Sequence, residues 1–329
     1  MDLYAELSAE QRRQLVDSQQ IFTGWRPASS ELDGMGSLTW NTSKGHRYLY
    51  RKVRGISKSQ GRETPALVKL KADEAKRKPT LRARVKQMQT RMDQMAPVNR
   101  AIGIARMPKI AARILRELDR EQILGSHIIV AGTNALYAYE AACGVSVGGQ
   151  FVATGDADLL WDTKQSLLLT ATGVRRDGLM GILRRVDKSF VAAYGYNATN
   201  NDGYVVDLIC PETDDFMTMK KGADLEASAM TGAEWLLQSP QLEQVIVGAD
   251  GYPIRIVVPE PRTYALHKLW LSQQESRQVV KRPRDRDHAQ ITARLCITYL
   301  GRSFVASDMP WLSKELRAQI KPLISLARQ

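Results

Sequence analysis

The segment Ala153–Asp162 reads ATGDADLLWD, and its first two aspartates decide the expected fold. The pattern predicts a β-strand from Asp156 to Trp161. Because strand side chains alternate between faces, Asp156 and Asp158 project from one face, about 6.6–6.8 Å apart, while Ala157 faces the core. Two carboxylates on one face repel each other unless a cation lies between them. Mg²⁺, with oxygen ligands at about 2.0–2.1 Å, is the natural partner.

A third carboxylate gives this pair its significance, since surface aspartates take a D-x-D spacing by chance. Asp207 lies in YVVDLI (204–209), inside an otherwise apolar predicted strand. A carboxylate flanked by Val206 and Leu208 is unfavourable to bury unless it is paired or bound to a metal. Three strand carboxylates that converge fit a two-metal site, whose ions lie about 3.5–4 Å apart.

A tight turn that leads into a helix precedes the aspartates. The predicted strand HIIVA (127–131) is followed by Gly132, Thr133 and Asn134, and then by a predicted helix over 134–142. Backbone N–H groups at a helix N-terminus are unsatisfied and attract anions. Glycine permits close backbone approach and the Thr133 hydroxyl can donate to a phosphate. Thr133 or Asn134 acting as a simple helix cap is the plainer interpretation, and both roles can hold together.

Taken together, these residues resemble a known superfamily. The order Gly132-Thr133, then Asp156-x-Asp158, then Asp207 is similar to the pattern of DNA polymerase β-type nucleotidyltransferases. The fuller strings resemble a bacterial family of nucleotidyltransferase-fold proteins over roughly residues 110–300: VAGTNALYAYEAACGV (130–145), ATGDADLLWD (153–162), DGYVVDLICP (202–211) and PRTYALHKLW (261–270). The 24 residues from Gly132 to Asp156 exceed the gap of many members, and an inserted glycine-rich loop over 144–155 accounts for them.

The resemblance implies both a fold and a reaction. The fold class is α+β: the resemblance implies a small mixed β-sheet flanked by helices, and the sequence pattern on either side adds a mostly helical basic N-terminal module and a helical C-terminal region. The reaction is Mg²⁺- or Mn²⁺-dependent transfer of a nucleoside monophosphate (NMP) from a nucleoside triphosphate (NTP) to an acceptor hydroxyl. Asp156 and Asp158 would hold two metal ions, and Asp207 would complete the second metal site and help deprotonate the acceptor. Gly132, Thr133 and Asn134 would bind the nucleotide.

Two further nucleotide-binding candidates come from the resemblance. Lys268 stands in a predicted apolar helix, where the family places a lysine near the triphosphate; an ordinary exposed lysine is the alternative. Asp287 and Gln290 match a family Lys-Asp-x-x-Gln string, so they would position Lys268 or contact the nucleotide, or else form surface ion pairs of little energy. Asp287 is preferred to Asp285 for this role.

Positive charge is concentrated in one part of the chain. The formal net charge is +12, and residues 51–100 carry 15 Lys and Arg against 4 Asp and Glu. Such a segment suits a polyanion, although lysine-rich helix faces commonly serve solubility alone. We expect this basic segment to bind RNA, with a tRNA 3′ end as one candidate acceptor and a toxin-like role as a superfamily analogy.

The pattern divides the chain into a basic N-terminal module (1–105), a catalytic core (106–215) and a mostly helical C-terminal domain with a β-hairpin (216–329). Further elements are expected at particular places: a helix within 1–24, a β-hairpin over 38–53, a helix from Pro65, a second hairpin pairing 190–194 with 204–209, and one helix over 312–327. No internal repeat is visible.

Composition excludes some classes of protein. No apolar run approaches the roughly 20 residues of a membrane helix, and the N-terminus is unlike a signal peptide, so a cytoplasmic location is expected. Three separated cysteines do not form a disulfide framework. Two other functions stay open: a catalytically inactive nucleotidyltransferase fold that binds nucleic acid, and a nucleotide-sugar glycosyltransferase with a metal-binding D-x-D. A haloacid-dehalogenase phosphatase is disfavoured because Leu160 occupies its Thr/Val position. The sequence leaves the oligomeric state open.

Overall fold

The computed structural model describes residues 3–162, 178–193, 197–212, 225 and 227–329. In the N-terminal part, the elements are β1 (Tyr4–Glu6), α1 (Ala9–Met35), β2 (Ser37–Ser43), β3 (His46–Val53), β4 (Ile56–Arg62) and α2 (Pro65–Ala101). The helix expected within 1–24 continues to Met35 and begins with a capping box between Ser8 and Gln11. The two long helices, α1 and α2, pack together through the buried side chains of Ala28, Met35 and Leu81.

The predicted hairpin over 38–53 is present, and it belongs to a three-stranded antiparallel sheet in the order β2-β3-β4. Lys44 and Gly45 form its two-residue turn, both with positive φ, as a type I′ turn requires. Arg54 and Gly55 repeat this geometry between β3 and β4. The third strand was not predicted, because its serine- and lysine-rich sequence lacks the apolar alternation that marks a strand.

The middle part of the chain forms a mixed sheet with helices around it. Its elements are α3 (Lys109–Arg120), β5 (Ile128–Val130), a 3₁₀ turn (Thr133–Ala135), α4 (Leu136–Cys143), β6 (Val145–Val147), α5 (Gly149–Val152), β7 (Asp156–Trp161), α6 (Gly178–Val186), β8 (Val191–Ala193), β9 (Asn197–Thr199), β10 (Val205–Pro211) and β11 (Ser228–Met230). The strand order is β5-β7-β10-β9-β8, with β11 also paired to β10. β7 and β10 are parallel, whereas β5 and β9 run antiparallel to their neighbours.

One predicted pairing in this sheet is wrong. The expected hairpin joined 190–194 directly to 204–209, but β9 lies between β8 and β10 and pairs with both. The true turn is shorter: the Asn200 side-chain oxygen accepts hydrogen bonds from the N–H groups of Asp202 and Tyr204. Tyr194, the end of the expected first strand, lies outside the described residues.

The expected glycine-rich loop over 144–155 is also more ordered than its composition suggests. It contains β6, which pairs antiparallel with β1, and the short helix α5. Gly144 ends α4 with a left-handed conformation, as predicted for a helix C-terminus.

The C-terminal part is mostly helical. It comprises α7 (Ala233–Gln238), β12 (Gln241–Val247), β13 (Pro253–Pro259), α8 (Pro261–Ser272), a 3₁₀ turn (Val279–Lys281), α9 (Arg282–Thr298), a 3₁₀ turn (Ala306–Asp308), α10 (Lys314–Ala318) and α11 (Ile320–Ala327). β12 and β13 form the expected hairpin. The single helix expected over 312–327 divides at Gln319 into α10 and α11.

A common hydrophobic core and buried hydrogen bonds hold these parts of the chain together. One hydrophobic core extends from Met107, just before α3, to Leu295 in α9, and so continues across position 216. Asn99 of α2 is fully buried, and its side-chain N–H donates to the Gly251 carbonyl at 2.7 Å. The Gln14 side chain of α1 donates to the side-chain oxygen of Asn99 at 2.8 Å. The architecture is the expected α+β class. Among the described residues, no helix is long and apolar enough to cross a membrane.

Candidate active site

Three aspartates occupy one face of the central sheet. Asp156 and Asp158 alternate along β7 with Ala157 and Leu159, which are 5% and 0% exposed and pack in the core. In the parallel pairing of β7 with β10, Asp158 and Asp207 are register partners. Paired strands lie about 4.7–4.9 Å apart, and registered residues of a parallel pair project from the same face. The structure therefore brings the three predicted carboxylates to one region of the sheet.

Gly132 lies directly against this region. It follows β5, which pairs with β7, and the Ala131 N–H donates to the Asp158 carbonyl at 2.9 Å. A Cβ added at Gly132 would stand 1.7 Å from Oδ2 of Asp158, and the φ of Gly132 is +60°. The Tyr264 hydroxyl donates to the Gly132 carbonyl at 2.9 Å and fixes the turn from the side of α8. Both the close approach and the backbone conformation require glycine.

The next two residues of the turn are buried. Thr133 and Asn134 are 8% and 1% exposed and form the 3₁₀ turn that precedes α4, where a direct entry into the helix was expected. The Asn134 side-chain N–H donates to the Asp156 carbonyl at 2.9 Å, and the Tyr204 hydroxyl donates to the same carbonyl at 3.1 Å. Asn134 thus holds the backbone of the strand that carries the aspartates, whatever it does for a nucleotide.

Asn197 is a neighbour of the site that the sequence did not predict. It is the register partner of Asp207 on β9, and its side chain hydrogen bonds to the Asp207 carboxylate. The side-chain oxygens of Asn134 and Asn197 are both buried without a hydrogen-bond partner in the described part of the chain. Amide oxygens are also ligands that hard cations accept, so both fit a site that binds a cation. The signal was obscured because Asn197 stood in a stretch interpreted as a turn.

The aspartates perturb one another electrostatically. Burial and the charge of Asp156 raise the pKa of Asp158 from 3.8 to about 6, with Lys268 opposing this and Asp207 adding to it. Burial and Asp156 likewise raise the pKa of Asp207, and the hydrogen bond from Asn197 and the charge of Lys281 oppose it. Mutual repulsion of this kind is what a bound cation relieves. The Thr154 hydroxyl also donates to the Asp156 carboxylate.

Lys268 is buried beside the site, at 7% exposure, and is therefore not an ordinary surface lysine. Its ammonium pairs with Asp285 at 2.8 Å, and Arg277 pairs with the other oxygen of Asp285 at 2.7 Å. Although burial raises the pKa of Asp285, Lys268 and Arg277 bring it below its usual value. The preference for Asp287 as the residue that positions Lys268 was wrong, because Asp285 is the carboxylate that reaches it.

Asp287 and Gln290 lie elsewhere on α9. Asp287 is partly exposed, and burial raises its pKa while Arg286 opposes this. The Gln290 side chain donates to the Leu326 carbonyl at 2.9 Å and so joins α9 to α11. An i, i+2 ambiguity at a helix start explains the misassignment: Asp285 and Asp287 have similar flanking residues but face different directions.

Additional cations near the site were not predicted. Lys281 lies in the 3₁₀ turn before α9. Its charge opposes the rise in pKa of both Asp158 and Asp207. Arg284 in the first turn of α9 donates to the Ala153 carbonyl at 2.5 Å, just before the first aspartate. In the sequence, Lys281 and Arg284 belong to a run of alternating charges that is typical of an exposed helix face. They approach β7 only through the packing of α9.

The donor set has the right chemistry for a hard cation. Carboxylate and amide oxygens are the ligands that Mg²⁺ and Mn²⁺ prefer. Within the residues described, no three His, Cys, Asp or Glu side chains are already gathered around a common point as metal ligands. An ion held by more than one of these carboxylates would require Asp156, Asp158 and Asp207 to turn toward a common point.

Comparison with known proteins identifies the family. Residues 109–310, more than half of the chain, match a family model described as nucleotidyltransferase. No curated protein and no solved structure matches the chain. The matched segment contains the turn at Gly132, all three aspartates and the Lys268–Asp285 pair. The chain belongs to this nucleotidyltransferase family.

Proposed function

We propose that this nucleotidyltransferase moves an NMP from an NTP to an acceptor hydroxyl at the Asp156–Asp158–Asp207 site, and that it depends on Mg²⁺ or Mn²⁺, with two ions expected. One observation carries the proposal: Asp158 and Asp207 stand side by side on parallel strands, with Gly132 against Asp158. The absence of a side chain at Gly132 lets the Asp158 carboxylate lie directly against the turn, whose backbone N–H groups are suited to a phosphate.

Asp156 and Asp158 are the candidates to hold both ions, and Asp207 the second. A divalent cation bound there would neutralise the carboxylates and polarise the α-phosphate of the NTP. The protein's own contribution is positional: Asn134 and Tyr204 fix the backbone at Asp156, and Asn197 orients Asp207 by a hydrogen bond.

The transfer step is an in-line displacement. The acceptor oxygen forms a bond to the α-phosphorus as the bond to the bridging oxygen breaks, and pyrophosphate leaves. Asp207 accepts the proton of the acceptor hydroxyl, as a carboxylate beside the reacting phosphate can. Lys268 and Lys281 offer positive charge to the triphosphate and to the departing pyrophosphate, and Asp285 holds Lys268 in place. Gly132 and Thr133 would approach the phosphates, and Asp287 remains a candidate nucleotide contact.

We further propose that the acceptor is RNA. The support is electrostatic: the segment 51–100 has a local net charge of +11, from 15 basic and 4 acidic residues, and folds as β3, β4 and α2. Arg51 and Arg77 pair with acidic side chains, whereas Lys69, Lys76 and Arg91 are exposed and form no ion pair with a described residue. Unneutralised cations on one module favour a polyanion.

The test is transfer of label from each α-³²P-labelled NTP to total RNA in Mg²⁺ or Mn²⁺. Wild-type protein is expected to label RNA, and Asp158→Asn is expected to reduce the rate by at least about 100-fold. Asp202→Asn is the matched control, because Asp202 is exposed in the turn before β10 and should leave the rate unchanged. Absence of transfer to any acceptor, together with absence of metal-dependent NTP binding, would contradict the proposal.

A further inference from the structure

The N-terminal sheet has one covered and one open face. On β3, Leu49 is 0% exposed, and Arg51 pairs with Glu74 of α2 at 2.5 Å and donates to the Met35 carbonyl at the end of α1. Residues of this parity therefore face the two long helices. Because strand side chains alternate, Tyr48 and Tyr50 project from the opposite face.

The opposite face is open to solvent across all three strands. Tyr48 pairs with Asn41 of β2 and Arg62 of β4, and Tyr50 pairs with Thr39 and Ser59. These four flanking residues are exposed. The two tyrosines are partly exposed although they occupy the central strand. They form an aromatic pair about 6.6–6.8 Å apart along β3, edged by hydroxyl, amide and guanidinium groups.

The charge of this sheet is uniformly positive. Residues 37–62 contain seven Lys and Arg and no Asp or Glu: Lys44, Arg47, Arg51, Lys52, Arg54, Lys58 and Arg62. Arg47, Arg51 and Arg54 are neutralised by Glu63, Glu74 and Glu121, which lie outside this segment.

The cations of the open face are not neutralised in this way. Lys52 and Arg62 belong to it by strand parity and Lys44 lies in its hairpin turn, and none of them forms an ion pair with a described residue. An open face with two aromatic rings and unpaired cations is therefore complementary to a ligand with flat rings and negative charge.

Single-stranded nucleic acid is the polymer with both properties. Its unpaired bases stack on aromatic side chains, while its phosphates attract Lys and Arg. Duplex RNA hides its base faces, so it would use the cations and not the tyrosines. An acidic protein surface would likewise use the charge but would not require exposed aromatic rings.

We propose that this open face of β2–β3–β4 binds single-stranded RNA, with Tyr48 and Tyr50 each stacking on a base and with Lys52 and Arg62 contacting phosphates. The inference rests on the proposed RNA acceptor and assigns its recognition to a surface outside the family-matched segment 109–310. Thr39, Asn41 and Ser59 can hydrogen bond to base edges, because their side chains surround the two rings on the same face.

The test is equilibrium binding of a fluorescein-labelled, unstructured 12-nucleotide RNA to the full chain, followed by anisotropy. The double substitution Tyr48→Val and Tyr50→Val introduces β-branched side chains, which suit a strand, and removes the rings. We expect affinity to fall about 10-fold for each tyrosine. The double substitution to Phe keeps both rings and should bind within about 2-fold of wild type. The melting temperature of each variant reports whether the sheet is intact.

The cations are tested through salt dependence. Lys52→Ala with Arg62→Ala should weaken binding and reduce the slope of log K against log salt by about 1.4, or about 0.7 per phosphate contact. Lys314→Ala with Lys321→Ala removes two exposed cations from α10 and α11 and should change neither quantity. A duplex of the same sequence should bind the Tyr-to-Val variant as well as it binds wild type.

Binding that is equal for wild type and the folded Val variant would overturn the proposal, as would an equal loss in the Phe variant. Failure here is distinguishable from failure of the proposed transfer reaction. Asp158→Asn should bind the RNA like wild type, since binding needs no NTP. If the Val variant binds RNA with unchanged affinity and still transfers label to it, the binding role of the open face is refuted and the transfer reaction stands. Tyrosine-dependent binding of RNA without any label transfer would support the binding role of the open face and count against the transfer reaction.

Discussion

The carboxylate of Asp158 lies against the Cα of Gly132, so closely that a Cβ at position 132 would stand 1.7 Å from Oδ2. No real Cβ–oxygen contact is that short, so one of the two must move if any other residue replaces the glycine. The φ of +60° and ψ of −152° at Gly132 are also unfavourable for residues with a side chain. The turn and the carboxylate are thus fitted to each other.

Gly132→Ala is therefore expected to reduce the transfer rate by at least about 100-fold and to destabilise the protein by about 1–3 kcal/mol from backbone strain. Steady-state transfer and urea unfolding measure the two effects. Gly149→Ala is the control, because its Cβ would meet nothing within 4 Å and its φ is not positive. Normal activity of Gly132→Ala would show that Asp158 does not act from the observed position.

Asp285 and Asp287 should differ sharply when substituted. Asp285→Asn removes the main partner of a buried lysine and is expected to lower the free energy of unfolding by about 3–5 kcal/mol. It should also reduce transfer, because Lys268 loses the anchor that aims it. Asp287→Asn, the control, should change stability by less than about 0.5 kcal/mol because its side chain is partly exposed.

The measurements for this pair are urea unfolding and transfer kinetics at neutral pH. Lys268→Met combined with Asp285→Asn should be less unstable than the sum of the single substitutions predicts, since the charges are removed together. Equal losses of stability for the Asp285 and Asp287 substitutions would contradict the pairing of Lys268 with Asp285.

The sequence was sufficient to place on strands those residues whose position depends on local periodicity. Asp156, Asp158 and Asp207 were placed on strands because alternation determines which face a strand residue occupies, and β7 spans the predicted residues. The parallel register that puts Asp158 beside Asp207 could not be derived, since it depends on pairing across 49 residues of chain. The family match supports the general reaction, and the residue roles stay predictions.

Misassignments arose where local chemistry and tertiary packing disagree. Asn197–Thr199 has the composition of a turn but pairs as β9 because β10 offers it a free edge. Asp287 matched a sequence string, but helix geometry points Asp285 toward Lys268. Lys281 and Asn197 were missed because neither lies in a motif, and each approaches the aspartates only through packing.

Replacing Asp158 should stabilise the metal-free protein. Because the folded-state pKa of Asp158 is raised to about 6, the carboxyl group is most favourable when protonated, and its contribution to stability is lost as pH rises through 6. Asp158→Asn cannot ionise, so at pH 7.5 without divalent metal its free energy of unfolding should exceed that of wild type by about 1–3 kcal/mol.

Thermal unfolding with and without Mg²⁺ completes this measurement. Mg²⁺ should raise the melting temperature of wild type and leave that of Asp158→Asn unchanged, because the variant lacks a ligand. Asp202→Asn should follow wild type in both conditions. A destabilised Asp158→Asn would mean that the ionised Asp158 carboxylate is not unfavourable in the folded, metal-free protein, contrary to its burial and to the neighbouring Asp156.

Acid should destabilise the protein through a buried histidine of α9. His288 is 1% exposed, and its Nε2 lies 2.8 Å from the Phe151 carbonyl, to which it can donate. Burial, together with the charge of Lys268, lowers the pKa of His288 from 6.5 to about 3. The unfolded chain therefore binds a proton between pH 6.5 and 3 that the folded protein does not, and stability falls as pH falls through this window.

His288→Gln keeps a donor for Phe151 but cannot titrate. Over pH 6 to 4, its free energy of unfolding should depend on pH less steeply than that of wild type, by up to about 1.4 kcal/mol per pH unit, the effect of one proton. Leu323→Ala is the control: Leu323 is fully buried, so the variant loses about 2–5 kcal/mol but keeps the wild-type slope. Urea unfolding at each pH measures all three proteins. Parallel slopes for wild type and His288→Gln would mean that His288 is protonated in the folded state, which its buried position beside Lys268 opposes.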